Sequence, residues 1–486
     1  MSLKSQVTHG LKWNAITIIG RQFVSFFVYT AIARMLLPSS YGLVGLVGVY
    51  LAFVTIFADQ GIGTALVQRK ELSNEHLDTA FWFNLGCAAA LCLGTIVCAE
   101  WVARFYQEPK LVPLLRCASL GLIVNALGAV HAARFTRNME FKFLSLRLLL
   151  ANLIGGLVGL GMAWTGFEAW ALIGQQLAFS VTGCTFLWSA SPYRPAYRFS
   201  LKKLKELFNV SSSILITSLL WFFSTRLDQI IIGRFAGTAA LGFYSVGGKI
   251  PELANIVTRD PVNAVTLPAL AKLQDDHNKL NRAICRGMEL NAYVTFAVFV
   301  GIASVSSDLV PLLFGPKWGP SIVVCSLSAI HSLINAQQIF IYPALLASGG
   351  VGSYVTINVL HTIGTAIACL VGIQYGITYL LAGLIINALV LFIPTLVYLQ
   401  RRTGLSPIEY SRPCAIPATG ATLMASAILL LHYLCPPLPA NLRLILEIVV
   451  GAIVYLGFTF VVKRSLWDEA FGAVRNILNR QKNASS

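Results

Sequence analysis

Fourteen stretches of this chain are each long and apolar enough to cross a lipid bilayer, and little is left between them. They fall at roughly 12–37, 41–67, 79–103, 111–133, 144–165, 168–190, 207–233, 239–267, 285–306, 320–347, 352–374, 376–399, 412–434 and 442–462. A helix needs about 20 apolar residues to span the hydrocarbon. Inside that layer every backbone N–H and C=O must be bonded within the protein, which leaves helices and closed barrels. Runs of this length predict an all-α polytopic membrane protein. Only 12% of the residues are charged and mean hydropathy is +0.71, against about 25% charged residues in soluble domains. The polar start, MSLKSQVTHGLKWN, does not read as a cleavable leader, and the run behind it is too long for a signal-peptide core, so no cleaved signal peptide is expected. The first span is expected to act as its own insertion signal.

Charge in the connections sets the orientation. With the N-terminus in the cytoplasm and alternation thereafter, the cytoplasmic side and the span edges abutting it hold 25 of the 36 Lys and Arg. Six lie outside (Arg34, Arg104, Lys110, Arg234, Lys317 and Arg443) and five within spans. That bias is the positive-inside pattern, and it predicts an even number of spans with both termini cytoplasmic. It also accounts for a net charge of +16 without a nucleic-acid partner. The ten cysteines are scattered through apolar segments with no CxxC, so they read as small hydrophobes rather than disulfides or metal ligands.

The chain repeats itself. IARMLLPSSYGLVG begins at Ile32, and IGRFAGTAALGFYSVG carries the same pattern 200 residues later, aligning Arg34 with Arg234 and Gly42 with Gly242. EPKLVPLLRCASL (108–120) matches GPKWGPSIVVCSL (315–327), and GFEAWALIG (166–174) matches GITYLLAG (376–383), at similar offsets. The basic connection at 191–206 separates the two sets. The expected layout is an N-lobe over 1–200 (six spans), a C-lobe over 201–400 (six spans), two further spans within 401–463, and a cytoplasmic tail over 464–486. A parallel repeat of six-helix bundles places a binding site in a central cavity between the halves.

Charge at membrane depth is a functional hypothesis by default. Here the set is Arg21, Asp59, Arg116, Arg226, Asp228, Lys249, Glu252, Arg259 and Asp260. Most sit on spans one, two, seven and eight, which correspond under the repeat. Arg21 and Asp59 lie at similar depth on neighbouring spans and could form an ion pair. Arg226 and Asp228 point about 200° apart around one helix, while Lys249 and Glu252 stand at i,i+3 and can pair locally. Cations outnumber anions five to four in this set, and Arg34 and Arg234 flank the outer mouth. A mildly basic interior suits an anionic substrate, because guanidinium forks match phosphate oxygens. Pro251, Pro261 and Pro268, with Gly247 and Gly248, predict a broken eighth span. His131, His331 and His361 read as helix-bonding groups. FYSVGGKI lacks the glycine and Ser/Thr of a phosphate loop, and no Walker sequence occurs elsewhere.

Three stretches carry a family resemblance: ARMLLPSSYGLVGLVGVYLAFVTIFADQGIGTALVQRKELS (33–73), FTRNMEFKFLSL (135–146) and TRLDQIIIGRFAGTAALGFYSVGGKI (225–250). With the layout of six, six and two spans, they resemble bacterial polysaccharide flippases of the multidrug/oligosaccharidyl-lipid/polysaccharide exporter superfamily, in the Wzx-type, colanic-acid-exporter-like branch. The resemblance implies a V-shaped cavity between two bundles, lined by spans one, two, seven and eight and opening alternately to each side. It implies that cavity cations engage the diphosphate of an undecaprenyl-linked oligosaccharide. By position Arg21 and Arg226 are the first carriers, then Lys249 and Arg259. Asp59, Asp228, Glu252, Arg34 and Arg234 support or couple, with a proton or sodium gradient as driver and no metal or other cofactor. The bacterial inner membrane, the bilayer itself, and a polymerase and chain-length regulator of the same pathway complete the expected setting. A cation-coupled multidrug antiporter of the same fold is the alternative, and it calls for an acidic cavity. A membrane polymerase or ligase calls for a large outer loop, whereas the longest outer loops here are barely a dozen residues, so no enzyme is expected.

Overall fold

The computed structural model describes residues 20, 22–59, 62–69, 71–208, 211–434 and 439–464. Among these the regular structure is helical throughout. A helix at 22–35 (α1) is followed by α2 (Pro38–Asp59), α3 (Ile62–Gln68), α4 (Asn74–Tyr106), α5 (Leu111–Arg137), α6 (Phe141–Trp164) and α7 (Ala169–Ala190). Next come α8 (Leu201–Phe208), α9 (Ser211–Phe235), α10 (Gly237–Gly247), α11 (Lys249–Thr258), α12 (Asp260–Ala271) and α13 (His277–Phe314). The chain ends through α14 (Ser321–Ala336), α15 (Ile341–Ala347), α16 (Val351–Gly372), α17 (Ile377–Thr403), α18 (Pro407–Ser411), α19 (Ala415–Leu434) and α20 (Ala440–Val462). Ten helical stretches within the described residues are long and apolar enough to cross a membrane. Large apolar side chains such as Trp101, Leu157, Ile393 and Val461 are exposed along them, as lipid-facing surface requires. The chain is therefore a multi-pass membrane protein.

The packing divides into two units: residues 1–246 with 365–377, and residues 247–364 with 378–486. Within the first unit, the repeated motifs at Ile32 and Ile232 meet each other. A methyl group placed on Gly42 would stand 1.7 Å from the Thr238 carbonyl oxygen, and one on Gly242 would stand 1.9 Å from the Pro38 carbonyl oxygen. Pro38 and Thr238, like Gly42 and Gly242, are repeat mates 200 residues apart. Each glycine thus receives the backbone of the other's helix start, a reciprocal contact of two-fold character. The Tyr29 hydroxyl donates to the Ser245 carbonyl (3.4 Å), and the Tyr41 hydroxyl donates to the Tyr29 carbonyl (3.0 Å), tying α1, α2 and α10 together around that contact.

The predicted eighth span is interrupted, as its glycines and prolines foretell. α11 ends at Thr258 and resumes as α12 across Arg259. The eighth breaks a second time at Gly248. Its prolines punctuate rather than kink: Pro251 and Pro261 occupy first turns of α11 and α12, where a missing N–H leaves no bond unmade. Pro268 alone lies within a helix.

The basic connection 191–206 is a structured strap laid on the start of α4. Asp78 accepts from the Tyr193 hydroxyl (2.6 Å) and the Ala196 N–H (3.1 Å), Thr79 Oγ1 accepts from the Ser200 N–H (3.2 Å), and the Trp82 indole donates to the Ala196 carbonyl (2.8 Å). Beyond it Glu206 of α8 gathers Arg69, His76 (3.3 Å) and Lys203 (3.7 Å). Hydrogen bonding from His76, joined by the charges of Lys203 and Arg69, holds the Glu206 carboxyl below its ordinary value of 4.5.

Two outcomes follow for the fold. Gly42→Ala and Gly242→Ala are expected to destabilise the detergent-solubilised protein by about 1–3 kcal/mol or more, as overpacking does. Gly48→Ala meets nothing within 4 Å and serves as the control, thermal unfolding being the measurement. A depressed carboxyl stabilises above its ordinary value and loses that contribution as pH falls through the folded one. Hydrogen-exchange protection factors across 191–208 should therefore fall as pH drops below about 4.5, and Glu206→Gln should show the lower protection already at neutral pH.

Candidate functional site

Within the first unit, α9 carries Arg226 and Asp228 two residues apart. Asp228 is held in place: the Tyr244 hydroxyl of α10 donates to one carboxylate oxygen, and the Gln229 N–H donates to the other at 2.7 Å. The Arg226 guanidinium reaches the Gln229 side-chain oxygen, one turn on, at 3.3 Å. A guanidinium has five donors in a fixed fork, so most of this one remains uncommitted. Arg234 lies over the rings of Phe105 (5.8 Å) and Phe235 (5.6 Å), a stacked rather than ligand-binding placement. Arg34 is exposed at the end of α1. Arg116 faces outward on α5 and pairs with Glu100 at 3.2 Å.

Within the second unit, Lys249 and Glu252 pair with each other on α11 at 2.9 Å. Arg259, at the break between α11 and α12, is different. Its Nε is buried with no hydrogen-bond partner, and its charge is felt by Asp260, Tyr354 and His331. His331 faces His361 and shares a 3.2 Å contact with Asn335. Asn255, one turn before Arg259, donates to Ser332 (2.9 Å) and keeps a buried, unpartnered side-chain oxygen. The helix break thus opens onto a half-buried polar cluster built from α11, α14 and α16.

Of the other sequence-derived candidates, Arg21 lies outside the described residues, and Asp59 is placed only as the last residue of α2. The structure brings Asp228 to Tyr244, Lys249 to Glu252, and His331 to both Arg259 and His361. It leaves Arg226 and Arg259 in different units.

Arg147 is the candidate that sequence reasoning missed. It lies in the second turn of α6, its Nε buried and unpartnered. It lines a cavity of about 200 Å³ with Asn125, Ser180 and Cys184. Its nearness to the basic turn 134–142 disguised it as a loop charge. The small residues Gly128 and Gly183 opposite were the available signal.

At the far ends of α13, α19 and α20, Asp308 takes both arms of Arg443 while His432 Nδ1 meets Glu447 at 2.9 Å. His432, Asp308 and Glu447 stand close enough to share a metal ion, but the Arg443 fork already occupies Asp308. The set is a closed ion network joining the last two helices to α13.

Residues 31–323 match the family model described as polysaccharide biosynthesis protein. The chain belongs to that family. Its similarity to curated relatives is broad. Lipopolysaccharide biosynthesis protein WzxC of Escherichia coli K12 is 26% identical over 410 residues, 81% of this chain and 82% of the relative. Teichuronic acid biosynthesis protein TuaB of Bacillus subtilis is 24% identical over 351 residues, 72% of each chain. In fold, this polysaccharide biosynthesis protein is similar to the lipid II flippase MurJ in an inward closed conformation (TM-score 0.76, 14% identity, 93% of this chain and 99% of that one). It is also similar to an inward-facing multidrug transporter of the MATE family (TM-score 0.60, 17% identity, 79% and 94%).

The Asp228–Tyr244 bond gives a direct test. Tyr244→Phe should cost about 1–3 kcal/mol, the penalty for stranding a partly buried charged acceptor. In an Asp228→Asn background the same change should cost distinctly less, a coupling that a double-mutant cycle in thermal unfolding measures.

Proposed function

We propose that this chain flips an undecaprenyl-diphosphate-linked oligosaccharide across the bacterial inner membrane for exopolysaccharide, O-antigen or capsule assembly. One observation carries the reading. At membrane depth the Arg226 fork keeps most of its donors and Arg259 its Nε unspent, while Asp228 and Glu252 are bonded and Asp260 acts on Arg259 through charge alone. Net attraction there is for an oxyanion, and a diphosphate offers oxygens in the bidentate spacing that guanidinium takes. The names of the relatives, biosynthesis proteins for lipopolysaccharide and teichuronic acid, point to the same substrate class.

In this reading fourteen spans form an N-lobe (1–200) and a C-lobe (201–400) of six helices each, followed by two more (401–463) and a tail, with both termini cytoplasmic. Arg21, Arg226, Lys249 and Arg259 line the cavity between the lobes and hold the diphosphate while the sugars cross in water and the polyprenyl chain stays in lipid. Alternating access moves the head group, and Asp59, Asp228 and Glu252 are where a driving proton or sodium ion would act. A polymerase and a chain-length regulator take over the product outside. The chain performs no covalent chemistry of its own.

The same fold also serves cation-exporting multidrug antiporters, and the likeness to a MATE transporter keeps that alternative in view. The sign of the unspent charge separates the two. In cells dependent on this protein, Arg226→Ala and Arg259→Ala should each lower polymer export about 10- to 100-fold at unchanged protein level, the effect of removing hydrogen bonds to a charged group. Arg226→Lys should fall between. Normal export from both alanine variants, or resistance to cationic dyes lost with them, would favour the antiporter.

A further inference from the structure

The second unit contains an open cleft of about 1140 Å³ between the start of α13, the turn from α17 through α18 to α19, and the end of α20. α13 has 38 residues, about 57 Å at 1.5 Å per residue, well beyond the ~30 Å hydrocarbon layer. Its first turns therefore stand in or above the head-group region. Charge says which face this is. From Lys272 to Arg464, nine Lys and Arg gather at this end of the unit, against Lys317 and Arg443 at the other. That asymmetry marks the cytoplasmic end.

The cleft is cationic and firmly walled. The Asn281 amide donates to the Thr403 carbonyl at 2.9 Å, and the fully buried Tyr410 hydroxyl donates to the Gln337 carbonyl at 2.7 Å. Ser406 and Glu409 close a capping box at the start of α18. Two carboxylates line it. Glu289 is held by both Arg286 and Lys463, and Glu409 accepts from the Ser406 N–H at 3.0 Å. Arg282 donates only to the Asn278 carbonyl (3.3 Å), and neither it nor Arg412 meets a carboxylate among the described residues. Both are exposed into the cleft mouth, whose inner wall carries Leu405 and Ile416. The volume is larger than the ~300–1,000 Å³ of an ordinary small-molecule site.

We propose that this cleft binds the phosphodiester head group of an anionic phospholipid of the cytoplasmic leaflet. Arg282 and Arg412 take the phosphate, and Leu405 and Ile416 meet the glycerol end of the acyl chains. Basic pockets between membrane helices on the cytoplasmic side suit such head groups. The site involves neither Arg226 nor Arg259 and stands whether or not the transport reading holds.

The test is lipid retention by the purified full chain in detergent, measured by native mass spectrometry after titration with phosphatidylglycerol or phosphatidylcholine. Phosphatidylglycerol should be retained over phosphatidylcholine, and Arg282→Gln/Arg412→Gln should weaken its retention roughly 10- to 30-fold, at about 1 kcal/mol for each basic residue. Arg401→Gln/Arg402→Gln, at the same end but outside the cleft, should retain it as the parent does. On the unaltered protein, millimolar inorganic phosphate should not displace the lipid, since a bare ion lacks the apolar contacts. Equal retention of both lipids, undiminished binding by the Arg282/Arg412 variant, or displacement by phosphate would overturn the proposal. So would retention of a polyprenyl diphosphate with no retention of phosphatidylglycerol, which would assign the cleft to the transported substrate.

Discussion

A charge at membrane depth must find a partner, because water is not there to solvate it and the penalty runs to at least several kcal/mol. Most of the intramembrane charges obey this locally. Lys249 takes Glu252 one turn away and Asp228 takes Tyr244 across to the next helix, just as Arg443, at the outer end of α20, takes Asp308 on α13. Against that background the guanidinium groups of Arg147, Arg226 and Arg259 stand apart, each with donors left over. The protein spends helix breaks and small side chains to seat them. Gly128 and Gly183 make the room at Arg147, and the α11–α12 interruption makes it at Arg259.

The reciprocal glycine contact in the first unit depends on the same economy of space. Two helix starts can approach backbone to backbone only where neither carries a Cβ, and small residues are how membrane helices achieve that in the absence of a hydrophobic drive between them. The repeat supplies the pair twice: Gly42 under Thr238, and Gly242 under Pro38. Duplication of one motif is enough to generate a self-complementary contact, because what fits the second copy to the first also fits the first to the second.

Much of this was legible in the residues. Hydrophobic run lengths carry the membrane-spanning helices, because the bilayer imposes one length on them all. The Arg34/Arg234 and Gly42/Gly242 alignment carries the repeat, and the glycine pair is where its copies touch. What run lengths do not carry is continuity. The predicted span at 239–267 is three helices, and it is its glycines and prolines, not its length, that foretell the breaks. Nor do run lengths carry depth at span edges. α13 begins eight residues before its predicted start, so Arg282 is a helix residue in a cleft wall, and Arg147, inside the predicted span at 144–165 yet counted with the cytoplasmic charges, has a buried Nε in the second turn of α6. Pairing is the third omission. Spacing foretells Lys249 with Glu252, but the Tyr244–Asp228 bond joins helices whose packing no local pattern encodes.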